Sequence, residues 1–132
     1  MNILKIKNHV SDSLFSLGLQ VRKATTINQD AADYILVITN LLEQNENIAM
    51  GNSAYSTLTF DIVCTSKEEQ TVKEVMTSIY DHVRDVDFQK SFSTDIDVQV
   101  GTVTIISIAE DTDPTSGINT LMLTIQLNYI TR

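Results

Sequence analysis

The sequence predicts an α+β domain in which a mostly antiparallel sheet packs with two helices, in the order α-β-β-β-α-β-β. Two segments, Ile3 to Leu17 and Lys67 to Arg84, repeat apolar residues at spacings of three and four, the period of a helix. Others, such as Leu58 to Cys64 and Leu121 to Ile130, alternate apolar and polar residues, the period of a half-buried strand. No helix regularly separates successive strands, which favours antiparallel pairing. At 132 residues the chain reads as a single domain, 1–132, and 42% hydrophobic with 20% charged is a globular mix. Folding would bury roughly two-thirds of the unfolded surface, enough for one core.

In the first helix Ile3, Ile6, Val10, Leu14 and Leu17 form one stripe, and Gly18 stands where a left-handed C-cap is expected. Leu4 and Phe15 share another flank, which leaves two readings: a second contact surface, or a core that wraps around the helix. Leu19, Val21, Thr25 and Ile27 read as a short strand before the polar break Asn28-Gln29-Asp30. Tyr34 to Leu42 is rich in β-branched residues and apolar on both faces, so a strand covered on both sides is favoured over a helix. The polar stretch 44–56 is expected to be a long loop or the tip of an extended hairpin. Its isolated Ile48, Met50 and Tyr55 call for an ordering partner.

Leu58, Phe60, Ile62 and Cys64 define the next strand. Ser66 to Glu69 has the spacing of a capping box opening the second helix, whose buried face should be Val72, Val75, Met76, Ile79, Tyr80 and Val83. Glu69 and Lys73 form a favourable pair four residues apart on its outer face. Ile96, Val98 and Val100 alternate with polar residues as a strand, which would put Asp95 and Asp97 together on one face, and Gly101 marks a bulge. Val103 to Ala109 is apolar on both faces, as a central or interface strand would be. Residues 110–117 hold the only proline, Pro114, in a turn. In the last strand Leu121, Leu123, Ile125, Leu127 and Tyr129 share a face, and Met122 and Ile130 are the apolar exceptions on the other.

Composition narrows the function. The net charge of −8 opposes adhesion to nucleic acid or anionic membranes, although an acidic surface also suits a channel that DNA must pass without sticking. The lone Cys64 excludes an internal disulfide and reads as a buried strand residue. No run approaches the ~20 apolar residues of a membrane span, and no secretory signal is evident, so synthesis in a cytoplasm without export is expected. His9, opposite the buried stripe, and His82 lie in no nucleophile–base pattern, and no phosphate-binding or zinc motif is present. No catalytic residue, cofactor or metal is therefore expected. Asp95, Asp97, Glu110, Asp111 and Asp113 are the one carboxylate group that invites a hard cation, but they lack a full calcium-loop ligand set and suit a solvated acidic edge better.

The layout resembles the tail terminator (minor capsid, head–tail joining) proteins of long-tailed bacteriophages. The resemblance rests on the helix closed by Gly18, on Leu58-Thr-Phe-Asp-Ile-Val followed by Ser66-Lys-Glu-Glu, and on Ile105-Ile-Ser-Ile-Ala, Pro114 to Gly117 and the final strand. Thr115-Ser-Gly-Ile-Asn departs from the charged cluster that many relatives carry there. The resemblance implies no catalysis. It implies a homo-oligomeric ring, a hexamer, that joins through sheet edges and loops in the virion tail. Such a ring caps the tail tube protein, meets the head connector protein and lets DNA through its lumen without specific binding.

On that reading Leu4, Phe15, Ile48, Met50, Tyr55, Met122 and Ile130 are candidate subunit contacts, and the five carboxylates line or rim the lumen. Another head–tail completion or neck protein, or a small cytoplasmic adaptor that binds a peptide along a sheet edge, are the alternatives.

Overall fold

The computed structural model describes residues 2–19, 34–46 and 54–131. Seven elements follow in the order α1 (Asn2–Ser16), β1 (Ile35–Glu46), β2 (Ala54–Ser66), α2 (Glu69–Arg84), α3 (Val86–Ile96), β3 (Gln99–Thr112) and β4 (Asn119–Thr131). The strands form one antiparallel sheet in the spatial order β1-β2-β4-β3. The α+β class and antiparallel sheet agree with the sequence reading. The helix count and element order do not, because a third helix, α3, takes up a stretch with no predicted element together with Asp95 and Ile96 of the predicted strand. The strand expected at 19–27 lies outside the described residues, save Leu19.

α1 ends as its glycine suggests. Gly18 has φ +87° and donates to Phe15 O at 2.9 Å, while Leu19 N–H reaches Leu14 O at 3.1 Å, the paired bonds of a Schellman cap. The turn redirects Leu19 into the core beside Leu14, and Leu17 is left exposed instead of completing the stripe. β1 settles the ambiguity of residues 34–42 in favour of strand. It continues to Glu46 against Tyr55, so residues 44–46 and 54–56 belong to an extended hairpin.

α2 buries Val72, Val75, Met76, Ile79 and Val83, with Tyr80 half-buried, and Glu69 meets Lys73 at 2.8 Å. The capping box does not form. Ser66 still pairs with Asn119 in the sheet, so it cannot take the cap position; its hydroxyl accepts from Glu68 N–H, and the helix starts at Glu69. In α3, Asp85 accepts from Asp87 N–H as N-cap, and Phe88 and Phe92 are buried one turn apart. The alternation of Ile96, Val98 and Val100 was thus only partly strand: Ile96 ends α3, and Asp97 closes it in a left-handed conformation with φ 54°.

All three helices join Leu58, Phe60, Ile62 and Cys64 of β2 and Leu121 to Tyr129 of β4 in one core cluster. Each large apolar side chain fully buried there contributes about 1.5–3 kcal/mol. Among the described residues no helix covers the opposite face of the sheet, and that asymmetry sets what the molecule offers to partners.

Candidate assembly interface

Rows of side chains, one from each strand, cross the open face, and four of these rows lie between its two ends. Val37, Val63, Met122 and Ala109 form an apolar row. Beside it lies a polar row of Thr39, Asp61, Thr124 and Ser107, and next to that Leu42, Thr59, Gln126 and Thr104. The fourth row, Gln44, Thr57, Asn128 and Thr102, is stitched by hydrogen bonds: Thr57 donates to Asn128 Oδ1 at 2.9 Å, and Asn128 donates to Thr102 at 2.8 Å. Asp61, buried in the second row, accepts from Asn40 Nδ2 at 2.7 Å and from Thr124 Oγ1 at 2.6 Å.

None of the four strands carries a lysine, arginine or histidine. Solvent-facing sheets normally place such residues outward, and free edges use lysine to discourage stray pairing. Here neither edge strand carries a basic residue. On the β1 edge Leu42 is 57% exposed, and on the β3 edge Ile106 and Ile108 are 52% and 53% exposed. Of the two positions expected for β3, central or interface, the first does not hold, because β3 is an edge of the sheet. Beside it, Ile108, Tyr80, Met76 and Leu121 line an apolar notch of about 360 Å³ against α2. These three edge residues were missed from the sequence, since periodicity alone does not say which strand lies outermost.

The structure distributes the predicted contact residues over separate surfaces. Leu4 and Phe15 stand out from α1, 58% and 68% exposed, away from the sheet. Met122 and Ile130 are half-buried on the open face of β4, eight residues apart, so roughly 27 Å separates them. The backbone of Tyr55 pairs with Glu46 and Ile130. Ile48 and Met50 lie outside the described residues.

The five carboxylates are not brought together. Asp95 sits on α3 and Asp97 caps it, whereas Glu110 and Asp111 end β3 and Asp113 opens the following turn. The fourteen-residue β3 spans roughly 40 Å between these groups. Asp113 accepts from Thr115 N–H at 2.9 Å, and that bond holds its carboxyl below the usual range. Among the described residues no three histidine, cysteine or carboxylate side chains converge for a metal ion. Within the same residues no helix is long and apolar enough to cross a membrane. Burial pushes the Cys64 thiol up to about 12, so it is a packed and unreactive group.

No known protein family matches the chain, and neither does any curated protein. Among solved structures, a chain of the virion of a native gene transfer agent (GTA) particle superposes with a TM-score of 0.62 over 92% of this chain and 85% of that one, at 11% identity. What the two chains share at that identity is the fold.

Proposed function

We infer that this chain is a non-catalytic structural subunit of a phage-like virion, acting as a tail terminator: a ring that caps the tail tube and joins it to the head connector. The observation that carries the reading is a pair of sheet edges that hold no basic residue and expose Leu42 on one side and Ile106 and Ile108 on the other. β1 and β3 run in opposite directions, so a copy repeated head to tail brings β3 of one subunit antiparallel to β1 of the next. Contacts of this kind between unlike edges close into a ring when each step adds a fixed rotation. Leu42 on one edge and Ile106 and Ile108 on the other supply apolar surface that pairing would bury. The shared fold with a chain of a gene transfer agent virion supports the virion setting. In such a ring the turn carrying Glu110, Asp111 and Asp113 faces the lumen, where carboxylates keep passing DNA from adhering.

Native mass spectrometry and light scattering test the reading. A closed oligomer of the 14.7 kDa subunit is expected, six copies by the tail-terminator resemblance, and Ile108→Lys with Ile106→Lys should return it to a folded monomer. An oligomer untouched by both changes removes the edge-pairing reading. A wild-type monomer that captures an extended peptide along β3 favours the adaptor alternative.

A further inference from the structure

Four rings from three helices stand in an unbroken row inside the helical layer. His9 of α1 meets Phe92 of α3 with ring centroids 4.6 Å apart, Phe92 meets Phe88 at 5.1 Å, and Phe88 meets His82 of α2 at 4.9 Å. Each contact is tilted or edge-on, the favourable arrangement for aromatic pairs. An imidazole therefore closes the row at either end, and both phenylalanines between them are buried.

The hydrogen bonds fix the proton on His9. The single hydroxyl hydrogen of Ser91 goes to Phe88 O at 2.6 Å, so His9 Nε2, 2.8 Å from Ser91 Oγ, must be the donor. Nδ1 is then the bare nitrogen that acid protonates. His82 also resists charging, because its Nε2 is buried without a hydrogen-bond partner. A second proton there would leave a cation's N–H without an acceptor, which is costlier than a neutral unpaired nitrogen. The two imidazoles also interact, so charging one opposes charging the other.

We propose that this row is an acid-released clasp, closed while His9 and His82 are neutral and loosened along the α1–α3 seam when they are protonated. The loosened form has its own stabilisation. A cleft of about 460 Å³ already runs beside the row, and Asp12 of α1, Asp85 at the α2–α3 junction, and Asp87 and Asp95 of α3 line it. Asp95 and Asp12 face His9, and Asp85 faces His82. In the closed form these carboxylates favour the charged imidazoles, but burial outweighs them for both. Loosening admits water, removes the burial penalty and lets the imidazolium groups meet the carboxylates fully. That difference between the two forms is what shifts the population. β2 and β4 lie outside the switch, since they contribute no residue to the row.

Hydrogen–deuterium exchange on the full chain at pH 7.5 and pH 5.5, corrected for intrinsic exchange, tests the clasp. Amides of α1 and α3 should lose protection several-fold at the lower pH while those of β2 and β4 keep theirs. His82→Phe, which extends the apolar row, should abolish most of that response, and His9→Gln, which keeps a donor toward Ser91, should reduce it. Equal protection of α1 at both pH values overturns the proposal, as does an unchanged response in the folded His82→Phe protein. Should that variant fail to fold, NMR titration of the wild-type imidazoles decides: both must titrate below 6.5 in the folded chain, and values at or above it overturn the clasp.

Discussion

Asn40 reaches across from β1 to β2 and donates a 2.7 Å hydrogen bond from its side-chain amide to the buried carboxylate of Asp61. It does so from a left-handed backbone, φ 56°, where the β1–β2 register shifts between Thr39 and Leu42. Asparagine tolerates that conformation better than most residues, so the bulge and the bond are one device.

Two substitutions at residue 40 separate its parts. Asn40→Gly keeps the backbone relaxed and removes only the hydrogen bond to a charged acceptor, at about 1.5 kcal/mol. Asn40→Ala removes the bond and also strains the left-handed backbone, adding about 1 kcal/mol. Urea denaturation should rank the stabilities wild type, Gly, Ala. An alanine variant as stable as the glycine variant would show that the bulge relaxes when the side chain goes.

Gly18 offers a purer backbone measurement. A Cβ built there meets nothing within 4 Å, yet φ is +87°. Gly18→Ala should therefore cost about 1–2 kcal/mol through conformation alone. Its effect belongs mainly to the end of α1, so amide exchange at Leu17, Gly18 and Leu19 should rise first.

How much of this was legible depended on whether local pattern or tertiary position decided the outcome. The stripe Val72, Val75, Met76, Ile79, Val83 and the alternation of β2 and β4 were readable because one buried face imposes one period. α3 was missed although Asp85 and the spacing Phe88, Phe92, Ile96 signalled it; the neighbouring alternation of Ile96, Val98 and Val100 competed and drew Asp95 and Asp97 wrongly into a strand. His9 lies off the apolar stripe of α1 and is still buried, because α3 packs on that side. No periodicity within α1 contains that information. The same holds for β3, whose two apolar faces implied cover that the isolated subunit does not supply.

Tyr129 is fully buried opposite Ser56, and its hydroxyl lies near Glu43 and Ser56 without hydrogen-bond geometry to either. Burial first, and then the neighbouring Glu43 carboxylate, push the phenol well above its ordinary value, so it stays neutral. Tyr129→Phe removes an unsatisfied polar atom and keeps the ring. Stability should change by less than about 1 kcal/mol and can rise. Thermal melting that shows a larger loss would reveal a hydrogen bond or bound water at that hydroxyl.

Met122 and Ile130 test whether the open face takes part in assembly. Both are half-buried on that face, so Met122→Lys with Ile130→Glu should leave the subunit folded while lowering the oligomer fraction in sedimentation. The effect at Met122 should be the larger, because it belongs to the apolar row of Val37, Val63 and Ala109. Loss of the folded monomer instead places these side chains in the subunit's own core.

The histidines predict a definite slope of stability against pH. Both have an unfolded value of 6.5 and a lower folded value, chiefly because burial disfavours their charged forms. Between the two values the unfolded chain binds more protons than the folded one, so stability falls as pH falls. Their contribution is fully present above 6.5, declines as pH drops through the folded values and is then constant. Urea midpoints should therefore fall between pH 7 and pH 5.5, and in the His9→Gln/His82→Phe double variant the curve should flatten. A midpoint that rises on acidification would mean that Asp12, Asp85 and Asp95 outweigh burial, and the two imidazoles would then hold the helices together in acid rather than release them.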